Sequence, residues 1–240
     1  AVVVQAGSRA LLYDTGGGDP AGMNMATAVV LPYLRQQGIR ELDTLIISHP
    51  DADHSAGTGS VLRSLPVRRF LYGGVLPGVA SGQSCVAGMA WRWPTGQQFQ
   101  LLSPADESGL STNDSSCVLQ VEVAGHRLLL AGDIERSREQ ALVRYWAGHL
   151  RSDWLLVAHH GSQTSSSWAW LKAVQARSAV ISRAYGNRFG HPHPAVLDRL
   201  RHSGAEIYDT ASGGALEFEL VPGQPMKLRR YRHRLRRFWM

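Results

Sequence analysis

The densest chemistry in the chain is His49-Pro50-Asp51-Ala52-Asp53-His54, which packs two imidazoles and two carboxylates into one turn. From the chain's own His and Asp frequencies, a chance H-x-D-x-D-H match has odds on the order of one in a thousand. One metal ion rarely takes four ligands from so short a loop, so two divalent ions sharing it is the easier arrangement. His49 and Asp51 then serve one ion, Asp53 and His54 the other, and a bridging carboxylate is wanted between them. Asp133, after the apolar run Leu128-Leu129-Leu130-Ala131, supplies that carboxylate; the competing role for it is a helix N-cap before Ile134 and Glu135. His159 and His160 follow a third apolar run. Neighbouring side chains on an extended segment point in opposite directions, which predicts His160 as ligand and His159 as an outer or substrate contact.

The elements that must carry these residues alternate between strand and helix. A hairpin is predicted from Val2–Gln5 and Ala10–Asp14, a helix over Thr27–Gln37 with Pro32 as a local flaw, and a buried strand at Asp43–Ile47. Further strands are expected at Val67–Tyr72, Phe99–Leu102, Cys117–Val123, Arg127–Ala131, Trp154–Ala158 and Ala179–Arg183, with short ones near Glu206 and Leu216. Helices are expected at Gly59–Leu65, Glu135–Gly148, Ser165–Ala176 and Pro194–Ser203, and residues 73–88 form a Gly-rich loop. Every candidate ligand falls just after a strand, where a loop is held by a rigid edge.

Composition narrows the class. The 240 residues are 44% hydrophobic and 18% charged, an ordinary globular balance with no apolar run long enough to cross a membrane. The chain opens on strand-like residues with no initiator Met, which reads as a fragment of something longer. One domain is expected over 1–226. The net charge of +6 resides in a basic tail, 227–240, where Lys227, Arg229, Arg230, Arg232, Arg234, Arg236 and Arg237 face no acid. Such a run contacts phosphate or merely solubilises an end. Cys85 and Cys117 are too few for a disulfide framework and leave the redox compartment open. Ser162, Ser165, Ser166 and Ser167 lack the G-x-S-x-G elbow of a serine hydrolase and fit a helix N-cap region or phosphate contacts. Among the aromatics, Trp91, Trp93, Trp168, Trp170, Tyr185 and Phe189, most are read as core or surface filler.

Taken in order, the 49–54 loop, Gly132-Asp133 and His159-His160-Gly161-Ser162 resemble the metallo-β-lactamase fold superfamily. Leu11-Leu12-Tyr13-Asp14-Thr15-Gly16-Gly17, Ile47-Ser48, Asn113-Asp114-Ser115-Ser116-Cys117 and Gly190-His191-Pro192 are similar to the C-terminal domain of the ComEC competence (DNA-uptake) channel family. The resemblance implies an α/β fold, a four-layer αββα sandwich of two mixed sheets. It implies metal ligation by His49, Asp51, Asp53, His54, Asp133 and His160, with Asp14 supporting the loop from beneath. It further implies a nuclease that degrades the non-transported DNA strand, attached to a membrane channel and lying on its external or periplasmic side, with single-stranded DNA as partner and no small organic cofactor. Asp53, His160 and His191 are the expected catalytic groups. Asn113, Ser116, His159, Ser162 and His191 are the expected substrate contacts, and His191 is also the candidate proton donor to the leaving oxygen.

Two departures from the superfamily bear on the metal. Its usual second His is Asp51 here, and Asn113 and Ser116 occupy the region where it carries a His before the bridging Asp. Carboxylate in place of imidazole hardens the donor set, so Mn²⁺ is expected as the activating ion, with Zn²⁺ possible. Other outcomes for the same fold are a phosphodiesterase on small esters, a different dimetal hydrolase such as a lactonase, or a non-catalytic DNA-binding domain of the channel.

Overall fold

The computed structural model describes residues 1–78, 81–104 and 109–234. They form two compact units, one from 1–89 with 103–118 and the other from 90–102 with 119–240. Because the segments interleave, no single cut of the chain separates the units, in keeping with the absence of a linker composition.

The first unit is built on a five-stranded mixed sheet in the order β1-β2-β3-β4-β5. β1 (Val2–Ala6) and β2 (Arg9–Tyr13) are the expected hairpin, and β3 (Thr44–Ile47), β4 (Phe70–Tyr72) and β5 (Gln83–Ser84) extend it in parallel. All four residues of β3 are buried, which is why it reads as an unbroken apolar run rather than an alternating one. The segment predicted as one helix over 27–37 is a π-type turn at Ala26–Val30 running into α1 (Leu31–Gln36). Pro32 sits in the first turn of α1, where a missing N–H costs nothing. Leu12, Leu45 and Ile47 of the sheet bury against Val30, Leu31 and Leu34, and against Val61 of α3 (Thr58–Ser64). Between β3 and α3 lies the short α2 (Ala52–Ser55).

The second unit carries a seven-stranded mixed sheet, β12-β11-β10-β9-β8-β7-β6. Its strands are β6 (Ala90–Arg92), β7 (Gln98–Ser103), β8 (Val118–Val123), β9 (His126–Leu130), β10 (Trp154–Leu156), β11 (Ser178–Ile181) and β12 (Glu206–Asp209). β9 through β12 run parallel, and β8 joins β9 as an antiparallel hairpin. The connections between the parallel strands carry α4 (Arg136–Trp146), α5 (Trp168–Val174) and α6 (Pro194–His202), close to their predicted spans. A short α7 (Thr210–Gly213) follows β12.

Part of the segment read as a basic tail is folded. β13 (Leu216–Glu219) pairs antiparallel with β14 (Lys227–Arg230), which leads into α8 (Tyr231–Arg234). Arg229 reaches Glu217 and Glu219, each at 3.3 Å, and Arg230 lies over the Tyr208 ring. Phe218 packs edge-on to Trp154 and Tyr208. Arg236 and Arg237 lie outside the described residues. The two cysteines are joined as a buried Cys85–Cys117 disulfide with 5.7 Å between their Cα atoms.

Gly73, just beyond β4, has a role that follows from space alone. A Cβ there would fall 2.1 Å from the Ser48 carbonyl oxygen and 2.2 Å from that of Ser115. Both are backbone atoms in segments that hold candidate site residues. Gly73→Ala is expected to destabilise the chain by about 1–3 kcal/mol, as overpacking does. Gly148→Ala, which meets open space, should stay within about 0.5 kcal/mol. Urea unfolding of the two variants side by side checks the contrast.

Candidate functional site

In the first unit the site is organised from below by one carboxylate. Asp14 follows β2 with a positive φ of 60° and is almost fully buried. Its Oδ1 accepts the Ser48 N–H (2.7 Å), and its Oδ2 accepts the Ser48 hydroxyl (3.0 Å) and His54 Nδ1–H (2.8 Å). Since the Ser48 hydroxyl donates to Asp14, its oxygen accepts from His49 Nδ1–H at 3.0 Å. Both imidazoles are therefore fixed through Nδ1. Their Nε2 atoms are the ones directed toward carboxylates, His49 to Asp51 at 3.6 Å and His54 to Asp53 at 3.7 Å. The two rings lie 4.2 Å apart, buried, while the side chains of Asp51 and Asp53 are half-exposed. This is how metal-ligating histidines are held: one nitrogen to a protein acceptor, the other presented.

The remaining candidates of this unit sit behind the same loop. Asn113 begins a 3-10 turn, Asn113–Ser115, and accepts the Ser116 N–H through its backbone carbonyl. Ser116 is fully buried, and the next N–H, of Cys117, donates to the Ser48 carbonyl at 2.9 Å. The chain reversal at Asn113–Cys117 thus braces the ligand loop, and the disulfide fastens that brace to residue 85. The sequence assigned no role to Ser48, although Ile47-Ser48 is among the motifs that carry the family resemblance; its hydrogen bonds to Asp14 and His49 show what it does there.

In the second unit, Asp133 is buried after β9, and α4 takes Glu135, not Asp133, at its N-cap position. Helix capping therefore does not account for Asp133. His160 Nε2 lies 3.6 Å from Asp133 Oδ2, and His160 Nδ1–H donates to the Ser182 carbonyl at 2.8 Å, the same orientation device as at His54. His159 also turns its Nε2 toward Asp133, at 3.9 Å, with Nδ1 beside Glu135 (3.7 Å) and Thr164 (3.4 Å). The premise that separated the two histidines, an extended backbone, does not hold. β10 ends at Leu156, and His159, His160 and Gly161 are three consecutive residues with φ of 52°, 53° and 84°. A left-handed turn brings both rings to Asp133 where a strand would have parted them.

That turn depends on its surroundings. His159 N–H donates to the Gly132 carbonyl, and Gly161 packs so closely on Pro192 that a Cβ would come within 2.6 Å of it. Ser162 N–H donates to the His159 carbonyl, and its hydroxyl pairs with Thr164. Ser167 caps α5, as the serine cluster suggested. Glu139, buried in α4, accepts the N–H groups of Ser166 and Ser167, and Arg199 holds the carbonyls of Ser165 and Ser166. His191 stands edge-on to His159 at 5.8 Å between ring centres. Burial, then the nearby His159 and His160, hold its pKa below the usual imidazole value, so it is neutral at pH 7.

Asp14 gives this site a pH signature. Burial alone would raise its carboxyl, but attraction to the His54 ring, the His54 hydrogen bond and the Ser48 N–H outweigh it and hold the group below the usual carboxylate range. A depressed carboxyl contributes stability that is present above its unfolded value, about 3.9, and is lost as pH falls toward the folded one. Asp14→Asn is expected to cost about 1–3 kcal/mol at neutral pH and to flatten the acid limb of the stability profile. Unfolding of the metal-free chain followed from pH 7 down to acid checks both.

The family model described as the Metallo-beta-lactamase superfamily matches residues 1–184. Among known proteins, the chain is 37% identical over 96% of its length to Competence protein ComA of Neisseria gonorrhoeae, and 35% identical over 89% of its length to Recombination protein 2 of Haemophilus influenzae. It spans 32% and 26% of those proteins, so about a third or less of each. Among solved structures, the metallo-beta-lactamase fold protein YhfI from Bacillus subtilis aligns with a TM-score of 0.51 at 13% identity, covering 86% of each chain. With strand-end His and Asp groups in both units and a family match over most of its length, the chain belongs to the metallo-beta-lactamase superfamily, has the metal-dependent hydrolase fold of that family, and within it is similar to competence proteins.

Proposed function

We propose that this chain is a dimetal nuclease that hydrolyses DNA phosphodiesters, degrading the strand that is not transported during DNA uptake, as part of a longer polypeptide that includes a membrane channel. The observation that carries the reading is the repeated orientation device. His54 and His160, one in each unit, both commit Nδ1 to a protein acceptor and turn Nε2 toward a carboxylate, at 3.7 and 3.6 Å. Such an arrangement fits divalent metal, and His49, Asp51, Asp53, His54, Asp133 and His160 are the residues that would hold two ions. Bound there, the ions would supply charge neutralisation for a phosphoryl group and activation of water. Three carboxylates among six ligands favour Mn²⁺ over Zn²⁺.

The chain's own groups then divide the remaining work. Asp14 and Ser48 fix the two loop histidines, so ligand placement costs little reorganisation. His191 offers a ring N–H as a hydrogen bond to the leaving oxygen or to a phosphoryl oxygen; acting as proton donor it would have to be protonated first, which its lowered pKa disfavours at neutral pH. His159 and Ser162 contact substrate beside it; Asn113 and Ser116, also expected as substrate contacts, lie on the segment that braces the loop, where Ser116 is fully buried. A disulfide at Cys85–Cys117 suits an oxidising compartment, which supports the external or periplasmic side of a membrane. Among the described residues, no helix is long and apolar enough to cross one.

The test is hydrolysis of single-stranded DNA, double-stranded DNA and small phosphodiesters by the purified chain, metal by metal. DNA cleavage strongest in Mn²⁺ is expected; turnover of small esters with DNA left intact would replace the nuclease reading by a small-molecule phosphodiesterase. Asp53→Ala and Asp133→Ala should each lower cleavage by roughly a hundredfold or more while the fold persists. Circular dichroism and a metal count accompany the assay. Near-wild-type cleavage in either variant would mean that the ligands are misassigned.

A further inference from the structure

The loop between β11 and α6 carries two large, exposed aromatic side chains. Tyr185 is 86% and Phe189 66% exposed, whereas Trp93 and Trp170 are buried in the core. Single exposed apolar residues are commonplace; two exposed aromatics within five residues, one of them against a candidate catalytic group, are less so. Phe189 lies nearly parallel to His191, with 5.9 Å between ring centres and a 21° interplanar angle, and His191 meets His159 beside Asp133. The guanidinium of Arg188 stands 4.9 Å from the Phe189 ring centre. Arg183, by contrast, is tied to Asp209 at 3.0 Å. Asn187 pins the loop at both ends of one residue: it accepts the His191 N–H at 2.9 Å and donates to the His191 carbonyl at 2.6 Å. The Phe189 ring is therefore displayed on a fastened turn, with Tyr185 just before it.

We infer that Phe189 and Tyr185 form a stacking platform for unpaired nucleobases, with Arg188 on the adjoining phosphate, and are the groups by which the neighbouring site discriminates unpaired from paired strands. The inference rests on the nuclease reading above and specifies its substrate. A nucleobase within a duplex is already covered on both faces, so exposed rings of this kind gain contact only from unstacked bases. Stacking needs no particular base identity, because every base offers a π-face, so the platform selects strandedness rather than sequence. Arg188 adds a cation where the backbone must pass if a base rests on Phe189.

Equilibrium binding separates the platform from the chemistry. The 240-residue chain, in chelator, is titrated into a short labelled oligothymidylate and into the same oligonucleotide with abasic central positions. The wild type is expected to prefer the intact strand by about tenfold or more. Combined Phe189→Ala and Tyr185→Ala should bring that ratio close to one, and Phe189→Trp should retain it. A wild-type ratio near one, or a preference that survives the double substitution, overturns the inference. Cleavage of the intact strand by the wild type in Mn²⁺ is followed in parallel. Cleavage without base preference removes the platform alone, whereas base preference without cleavage of any DNA leaves the platform and removes the nuclease.

Discussion

The carboxylate of Asp14 is the constraint on which the candidate ligand loop of the first unit depends. It sits at the end of β2 and spends both oxygens on the segment that follows β3, on the backbone and hydroxyl of Ser48 and on the His54 ring. Through the Ser48 hydroxyl its influence extends to His49. One buried anion thus sets the tautomer and direction of two imidazoles, and parallel pairing of β2 with β3 brings it to that place. A buried charge is tolerable because every lone pair that matters is met by a donor. The arrangement also explains why Gly73 is confined: the Ser48 carbonyl already receives the Cys117 N–H, and no atom larger than hydrogen fits against it on the Gly73 side.

The second unit solves the same problem by other means. The Ser182 carbonyl orients His160 through Nδ1, and the backbone itself bends to deliver it. The bend is supported by Gly132, by Pro192 against Gly161, and by Glu139 and Arg199, which each secure the following serines. Strained backbone of this kind persists where the surroundings over-determine it.

Strands and the clusters of candidate ligands were legible because each signal is local. Four consecutive buried residues at β3, the apolar run of β9 and the density of His and Asp after them need no tertiary information. What escaped depends on partners distant in sequence. β14 carries one apolar residue, Leu228, and reads as a charge run; it is a strand because Glu217 and Glu219 on β13 receive Arg229. Cys85 and Cys117 lack a recognisable spacing because the fold, not the sequence, brings them together. The short strands β5 and β6 carry too few residues to show a period. Ser48 has no side-chain property that marks it as an intermediary between Asp14 and His49. The backbone at His159 and His160 was not legible because the strand period stops at the end of β10, before either residue.

The left-handed turn at residues 159–161 also limits what evolution can place there. A β-branched side chain is disfavoured at such φ values, while Gly, Asn, Asp and His are the residues found there most readily. Backbone and chemistry therefore make overlapping but unequal demands: His satisfies both, whereas Gly and Asn satisfy the backbone alone. A descendant that abandoned the chemistry would drift along the backbone-compatible set, leaving Gly or Asn at these positions and an otherwise intact turn. Val or Ile would require the whole segment to be rebuilt, so silent decay of this site has a narrow and recognisable path.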